Sequence, residues 1–261
     1  MTGHPMIDVR FFAPPADLAP CFTTFYRLEV TVPQGDHLED WLQPEWANLR
    51  FFSDNPPAAE LPDGPRIAGA RFQATGPSSC PIHFELGRTR MWGIGLFPLG
   101  WARFIGEDAS DHANTLVDGE ASPLFERFAP LCDMLCSRDH SDEEQFDALT
   151  DFFRRLAGPP ADQQRIQKVH EVMVDPQLLQ VEDFAHRVGL SKRTLERVCA
   201  RNFGFPPRLL LRRQRLMRSL AAFMLEPRSN WSDVIDRHYH DQSHFVHEFH
   251  AFMCCTPSEY A

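Results

Sequence analysis

The sequence predicts an α+β protein with a β-rich N-terminal part and an all-α C-terminal part that contains two helix-turn-helix units. Three observations support this prediction. Short β-rich segments separated by turns that contain Pro or Gly fill residues 21–97. Apolar residues recur at the helical period from residue 124 onward. Residues 187–218 hold ten basic residues and one acid, in a chain of 261 residues with a formal net charge of -10.

Segment 21–32 is the clearest predicted strand, because its apolar and polar side chains alternate. The apolar residues lie at even-numbered positions, at Phe22, Tyr26, Leu28, Val30 and Val32. The other predicted strands are 46–52, 71–75, 82–86 and 91–97. Many short strands with such turns are typical of a small antiparallel barrel or sandwich.

Two amphipathic helices, at about 123–136 and 142–156, are predicted to close the N-terminal part. Either they pack on its sheet, or one of them pairs with a second subunit. Gly158-Pro159-Pro160 then interrupts the helical pattern. We therefore expect a domain at 1–157, a linker at 158–164 and a second domain at 165–261.

The predicted first helix-turn-helix unit centres on Val188-Gly189-Leu190-Ser191. Gly189 can adopt the left-handed conformation that ends one helix, and Ser191 can cap the next. On the second helix, about 191–202, Leu195, Val198 and Cys199 are expected to face the core, and the opposite face is basic. Arg and Lys bind both phosphates and the guanine edge in the major groove, so this helix is the predicted recognition helix.

A linking helix is predicted from about Arg208 to Leu225. About 18 residues give a helix of roughly 27 Å, close to the spacing of roughly 34 Å between successive major grooves on one face of DNA. A second unit follows, in which Ser232 and Asp241 are the predicted helix caps. Residues 226–261 contain two arginines and six acids, so the first unit is expected to supply most of the attraction for phosphate.

The segments GLSKRTLERVCARNFGFPPRLLLRRQRL and DQSHFVHEFHAFMCCTPSEYA resemble the two halves of the DNA-binding domain of AraC/XylS-type transcriptional regulators. The resemblance covers roughly residues 166–261 and implies that one chain reads two adjacent major-groove segments of double-stranded DNA. It also implies contact with RNA polymerase, and a β-rich N-terminal domain for effector binding or dimerisation. The predicted DNA-binding residues are Ser191, Lys192, Arg193, Glu196, Arg197, Arg201, Arg208, Arg212, Gln242, Ser243, His244 and His247.

The chain departs from the family pattern at two turns. His238-Tyr239 stands where the family commonly has a Gly-aromatic pair, and Cys254-Cys255 precedes Thr256-Pro257 where the family usually has a glycine. A side chain resists the left-handed conformation that glycine adopts readily. We therefore expect these two turns to differ in shape from the family pattern.

Three functions remain open for the N-terminal part: binding a small-molecule effector, binding only protein, or catalysis. Residues 1–159 carry 12 Lys and Arg against 24 Asp and Glu, a balance that would repel nucleic acid. A phosphate loop, a nucleophile elbow and a catalytic triad are all missing from the sequence. We therefore predict a sensor or association domain, not an enzyme, with no catalytic residue and no cofactor, and a homodimer is a further expectation.

Two groups of side chains raise a metal-site hypothesis. His83 and Glu85 share a strand face, and His247, His250 and Cys254 share a helix face. The first group lacks a third ligand. The second occupies the face assigned to DNA, so neither is adopted as a site. The absence of a membrane-spanning run or a signal-peptide core, together with seven cysteines, an odd number, favours a cytoplasmic protein.

Overall fold

The computed structural model describes residues 6–33, 35–225 and 230–260. Within these residues it contains an N-terminal region of antiparallel sheet followed by a helical region. None of the helices described is both long and apolar enough to cross a membrane.

Two antiparallel sheets form the N-terminal region. The strands are β1 Met6–Phe12, β2 Phe22–Thr31, β3 Leu38–Leu42, β4 Asn48–Phe52, β5 Ala58–Glu60, β6 Arg66–Ile67, β7 Phe72–Thr75, β8 Ile82–Leu86, β9 Thr89–Leu96 and β10 Leu116–Asp118. The larger sheet has the order β1-β2-β9-β4-β7-β10, and the smaller one β3-β8-β5-β6. In the part of the chain described, the sheets do not close into a barrel, so the sandwich is the predicted alternative that is found.

Strand β2 corrects one prediction about side-chain direction. A β-bulge between Phe22 and Thr24 changes the parity of the strand. As a result Phe22 and Phe25, whose rings lie 4.5 Å apart, share the face that packs against helices. Tyr26 lies on the opposite, inner face, although the sequence pattern placed it with Phe22.

Ten α-helices are described: α1 Pro98–Phe104, α2 Cys132–Leu135, α3 Asp142–Leu156, α4 Gln163–Met173, α5 Val181–Val188, α6 Lys192–Phe203, α7 Pro207–Leu225, α8 Trp231–Val234, α9 Gln242–Met253 and α10 Pro257–Tyr260. The predicted helix 123–136 is wrong as a continuous α-helix. Its central part is a 3-10 helix, Glu126–Leu131, that includes Pro130, which has no backbone N–H for a regular α-helical turn.

Helix α3 forms where it was predicted, at 142–156, and Ser141 and Glu144 complete a capping box at its start. It packs on the larger sheet, where Gln145 accepts a hydrogen bond from Trp92 at 2.7 Å. Helix α4 begins at Gln163, so the predicted linker 158–164 extends two residues too far.

The hydrophobic core does not stop at the end of the sheet region. One continuous cluster of buried residues runs from β2 and α1 into α4, α5 and α6, whereas a separate cluster fills the second unit around Leu216, Phe245 and Phe249. At the junction the Trp46 ring lies 6.0 Å from that of Phe203. The first helix-turn-helix unit is therefore packed against the N-terminal region, and the second has its own core.

Candidate nucleic-acid interface

Helices α5 and α6 form the first helix-turn-helix unit. Gly189 between them has a φ of +70°, and Leu190 donates its backbone N–H to the carbonyl of Ala185 at 2.9 Å. The Ser191 hydroxyl accepts a hydrogen bond from the backbone N–H of Thr194 at 3.2 Å. The predicted turn and cap are confirmed, and they set the direction in which α6 leaves the turn.

The two faces of α6 differ as the sequence predicts. Leu195, Val198 and Cys199 are buried, and Phe203 is fully buried at the helix end. The exposed face carries Lys192, Arg193, Glu196, Arg197 and Arg201. Lys192 is paired with Glu182, whereas Arg193, Arg197 and Arg201 make no ion pair within the described residues. Three guanidinium groups on one exposed helix face can therefore meet an anionic partner.

Helix α7 links the two units over 19 residues, and its arginines have different surroundings. Arg208 is exposed. Arg212 donates to Glu248 at 2.6 Å, and Arg215 donates to both carboxylate oxygens of Glu248 at 2.8 Å. Arg218 donates to Asp236 at 2.6 Å. These bonds join α7 to the second unit.

Glu248 was not predicted from the sequence, yet it occupies the centre of this junction. Its side chain is 3% exposed. Burial by itself favours the neutral acid, but the hydrogen bonds from Arg215 and Arg212 outweigh it and hold the pKa of Glu248 below its ordinary value. The sequence offers one signal that could have identified Glu248: it is an acidic residue next to Phe249, on a helix whose inner face is otherwise aromatic.

The second unit consists of α8, a turn and α9. The predicted cap Ser232 is wrong, because Asn230 caps α8 through a capping box. Asp241 caps α9 as predicted, accepting from the backbone N–H of His244 at 2.8 Å. Gln242, Ser243 and His247 are exposed, and His244 is partly covered by Tyr239.

The two turns that lack glycine take different shapes. Cys254 adopts the left-handed region with a φ of +56°, which is the conformation that a glycine would supply. Tyr239 does not have a positive φ; its ring is buried and lies 4.6 Å from the guanidinium carbon of Arg215. The expected change of shape is therefore not found at Cys254.

A groove of about 620 Å³ lies between the two units. Its basic lining consists of Arg208, Arg212, Arg215, Arg218, His244 and His247. The first residues of α5 form another wall. Of the predicted DNA-binding residues, Arg208 and Arg212 of α7 and His244 and His247 of α9 are thus brought together on one concave surface, whereas Gln242, Ser243 and the residues of α6 do not line it.

Neither hypothetical metal site gathers a ligand set. Within the described residues no group of three or more His, Cys, Asp or Glu side chains could hold a metal ion. His83 instead lies 2.8 Å from Glu39 and 3.3 Å from Glu60, and Glu85 is paired with Arg66.

Comparison with known proteins decides what this arrangement is. Residues 184–261 match a family model described as a helix-turn-helix domain. They are an AraC-type helix-turn-helix domain. The chain therefore contains an AraC-type helix-turn-helix domain over its last 78 residues. No curated protein sequence matches the chain.

Three solved structures match most of the chain. ToxT from Vibrio cholerae O395, bound to (E)-4-(8-methylnaphthalen-1-yl)but-3-enoic acid, is 12% identical with a TM-score of 0.50, covering 98% of this chain and 97% of that chain. Another ToxT structure from Vibrio cholerae has the same identity and coverage and a TM-score of 0.49. The AraC-like transcriptional activator CuxR is 13% identical with a TM-score of 0.30, covering 82% of this chain and 87% of that one. The first of these shows a shared fold.

Proposed function

We propose that the chain is an AraC-type transcriptional regulator that reads double-stranded DNA through α6 in one major groove and α9 in the next. The observation that carries the proposal is the exposed guanidinium face of α6, which follows a capped turn and has no ion-pair partner at Arg193, Arg197 or Arg201 among the described residues. Glu196 and Ser191 complete the contact surface of α6. On α9 the contact residues are Gln242, Ser243, His244 and His247.

Arg208 and Arg212 are assigned to the phosphate backbone between the two grooves. Both line the concave groove, and Arg208 is exposed there. Arg212 shares Glu248 with Arg215, yet 40% of its side chain remains accessible. A guanidinium held in this way can contact a phosphate without reading a base.

Recovery of genomic fragments by the purified protein tests this function. We expect specific fragments to be enriched, with protection of two major-groove segments centred about 10 base pairs apart. If no sequence is enriched in the recovered fragments relative to the input DNA, sequence-specific binding is contradicted. The neighbouring genes would indicate the regulated pathway.

We also propose that the sandwich is a sensor for a small molecule. A cavity of about 140 Å³ lies between the sheets and is mostly apolar, with Tyr26, Arg50 and Gln73 as its polar lining. A dry cavity of about 150 Å³ can hold benzene. Within the described residues the Nε of Arg50 is buried without a hydrogen-bond partner. A compact apolar molecule with one hydrogen-bond acceptor fits this site.

A chain of charged groups leads from the cavity to the DNA-binding domain. Arg50 pairs with Glu45, and Glu45 lies near Arg213 of α7, whose guanidinium carbon stands 4.2 Å from the Trp46 ring. Burial lowers the pKa of Arg213 to about 10, an effect that Glu45 partly offsets. An effector that changes the Arg50–Glu45 pair would thus change the field at a buried charge on α7, which supports coupling between sensing and DNA binding.

Filling the cavity tests the sensor. Ala59 lines it and is 4% exposed, so Ala59→Leu should occupy much of its volume. Small aromatic compounds with a carbonyl or carboxylate group are screened by thermal shift. We expect Ala59→Leu to abolish the shift given by a compound that stabilises the wild type, while DNA binding without compound is retained.

The matched control is Ala58→Leu, on the opposite face of β5, which should keep the response. A shift that persists in Ala59→Leu would place the ligand elsewhere. If no compound shifts the melting temperature, the N-terminal region is better explained as a protein-interaction module. We further propose a non-enzymatic, cytoplasmic protein that forms a homodimer and contacts RNA polymerase.

A further inference from the structure

Strand β1 exposes an unusual amount of apolar surface at the edge of the larger sheet. Met6, Ile7, Val9 and Phe11 are 63, 57, 40 and 70% exposed, and they are four of the nine most exposed large apolar residues described. The other edge of β1 pairs with β2 along its whole length. Within the described residues no strand pairs with the outer edge, which therefore presents free backbone donors and acceptors.

The two faces of β1 have different chemistry. Ile7, Val9 and Phe11 stand opposite Val30, Leu28 and Tyr26 of β2, so they extend the inner, apolar face of the sandwich. On the other face Arg10 pairs with Glu143 of α3 at 2.6 Å, and Asp8 pairs with Arg27 at 2.5 Å. Any partner strand must match an apolar face and a charged face at once.

We propose that β1 is a homodimer interface, in which the outer edge pairs antiparallel with β1 of a second copy about a two-fold axis at Val9. The segment Met6-Ile7-Asp8-Val9-Arg10-Phe11-Phe12 is complementary to itself in this register. Directly opposite residues share a face in an antiparallel pair. The opposed pairs are Met6 with Phe12, Ile7 with Phe11, Asp8 with Arg10, and Val9 with Val9.

Charge selects this register over its neighbours. Centring the pair on Asp8 would oppose two carboxylates, and centring it on Arg10 would oppose two guanidinium groups, both of which are destabilising. A slip of one residue would place the apolar face of one strand against the charged face of the other. Edge strands usually carry charge to prevent association, but here opposite charges occupy mirrored positions and attract a second copy.

The dimer would join the two larger sheets into one sheet of twelve strands. Each Asp8 would lie between its own Arg27 and Arg10 of the second copy, so the ion pairs that now flank β1 would extend across the axis. The inference specifies the homodimer of the proposed function and rests on it. Binding of one chain to DNA does not depend on this contact.

Charge reversal at β1 in the full-length protein tests the proposal. Sedimentation equilibrium should show a dimer for the wild type. Asp8→Arg alone and Arg10→Asp alone each turn two attractive cross-strand pairs into repulsive ones, so the dissociation constant should rise about tenfold to a hundredfold. An equimolar mixture of the two variants should restore the dimer, because every cross-strand pair is then of opposite charge.

Val9→Glu provides a second variant that leaves the intramolecular ion pairs intact and places two carboxylates on the axis. It should also give monomers, whereas Val174→Glu, at a valine of similar exposure on another surface, should not. Melting curves identify any variant that has lost its fold. A wild type that is monomeric at about 100 µM removes both the homodimer and this interface. If the dimer is insensitive to the substitutions, or if the mixture of variants fails to reassociate, the β1 interface is contradicted but the homodimer is not.

Discussion

Replacing Arg193 and Arg197 together by alanine is expected to weaken binding to the selected operator by at least about 2 kcal/mol, and by up to about 6 if both contact base edges. The two side chains are one helical turn apart on the exposed face of α6, and neither has an ion-pair partner within the described residues. Each guanidinium can donate two parallel hydrogen bonds to guanine. Loss of both should remove most of the contribution of the first unit.

Titration of the operator at fixed salt, with both single variants included, measures this loss. A base-reading arginine should lose discrimination between operator and unrelated DNA. One that contacts phosphate should weaken binding to both and reduce the salt slope by about one. Arg155→Ala, an exposed arginine of α3, is the matched control. Unchanged affinity in the double variant would show that α6 is not the recognition helix.

Glu248→Ala should destabilise the second unit by about 2 to 4 kcal/mol. Removing one partner from a buried ion pair leaves the other charge uncompensated, at a cost of about 3 to 5 kcal/mol. We expect less, because the Arg212 side chain is 40% exposed and the Arg215 side chain 17%, so water can solvate them in part. The separate core of the second unit makes this loss local.

Hydrogen exchange of the α9 amides measures the effect. Protection should fall about thirtyfold or more, while α6 keeps its protection, and the DNA footprint should shorten on one side. Because the folded-state pKa of Glu248 is depressed, its contribution is present above the ordinary value of 4.5 and is lost as pH falls through the folded-state pKa. The variant should therefore lose less stability in acid than the wild type.

Glu171→Ala, at an exposed glutamate of α4, should leave the exchange of α9 unchanged. Glu248→Gln keeps the shape and the ability to accept hydrogen bonds, so it should have a smaller effect. If α9 exchanges in Glu248→Ala as it does in the wild type, the pairs with Arg212 and Arg215 contribute nothing to positioning the second unit.

Arg213 lies where α7 meets the sheet region. It is buried over Trp46 at the junction with the sheet region, and its Nε and Nη1 lack hydrogen-bond partners among the described residues. An unpaired buried charge costs stability. Its position on α7 links the packed first unit to the separately folded second unit, where a change at the junction can alter their spacing.

The sequence predictions were right where the interacting residues are close together along the chain, and wrong where they are far apart. Gly189, Ser191 and Asp241 were assigned correctly because a turn glycine or a helix cap acts within a few residues. Tyr26 was assigned to the face of Phe22 because a bulge depends on the partner strand. Strand β1 was not predicted because neither of its faces is buried, so it lacks the pattern of a half-buried strand. Helix α1 was not predicted because its seven residues are too few to show a helical period.

The sequence by itself determined the local features of this protein: the turn at Gly189, the caps of α6 and α9, and a basic face on a helix with an apolar opposite side. Only the tertiary structure decided that Glu248 holds Arg212 and Arg215, that Arg213 is buried against Trp46, and that the first unit shares a core with the sheet region. The reason is distance along the chain. Caps and helical faces depend on residues that are close in sequence. The contacts named above join residues that are 33 or more positions apart, so packing determines which residues meet.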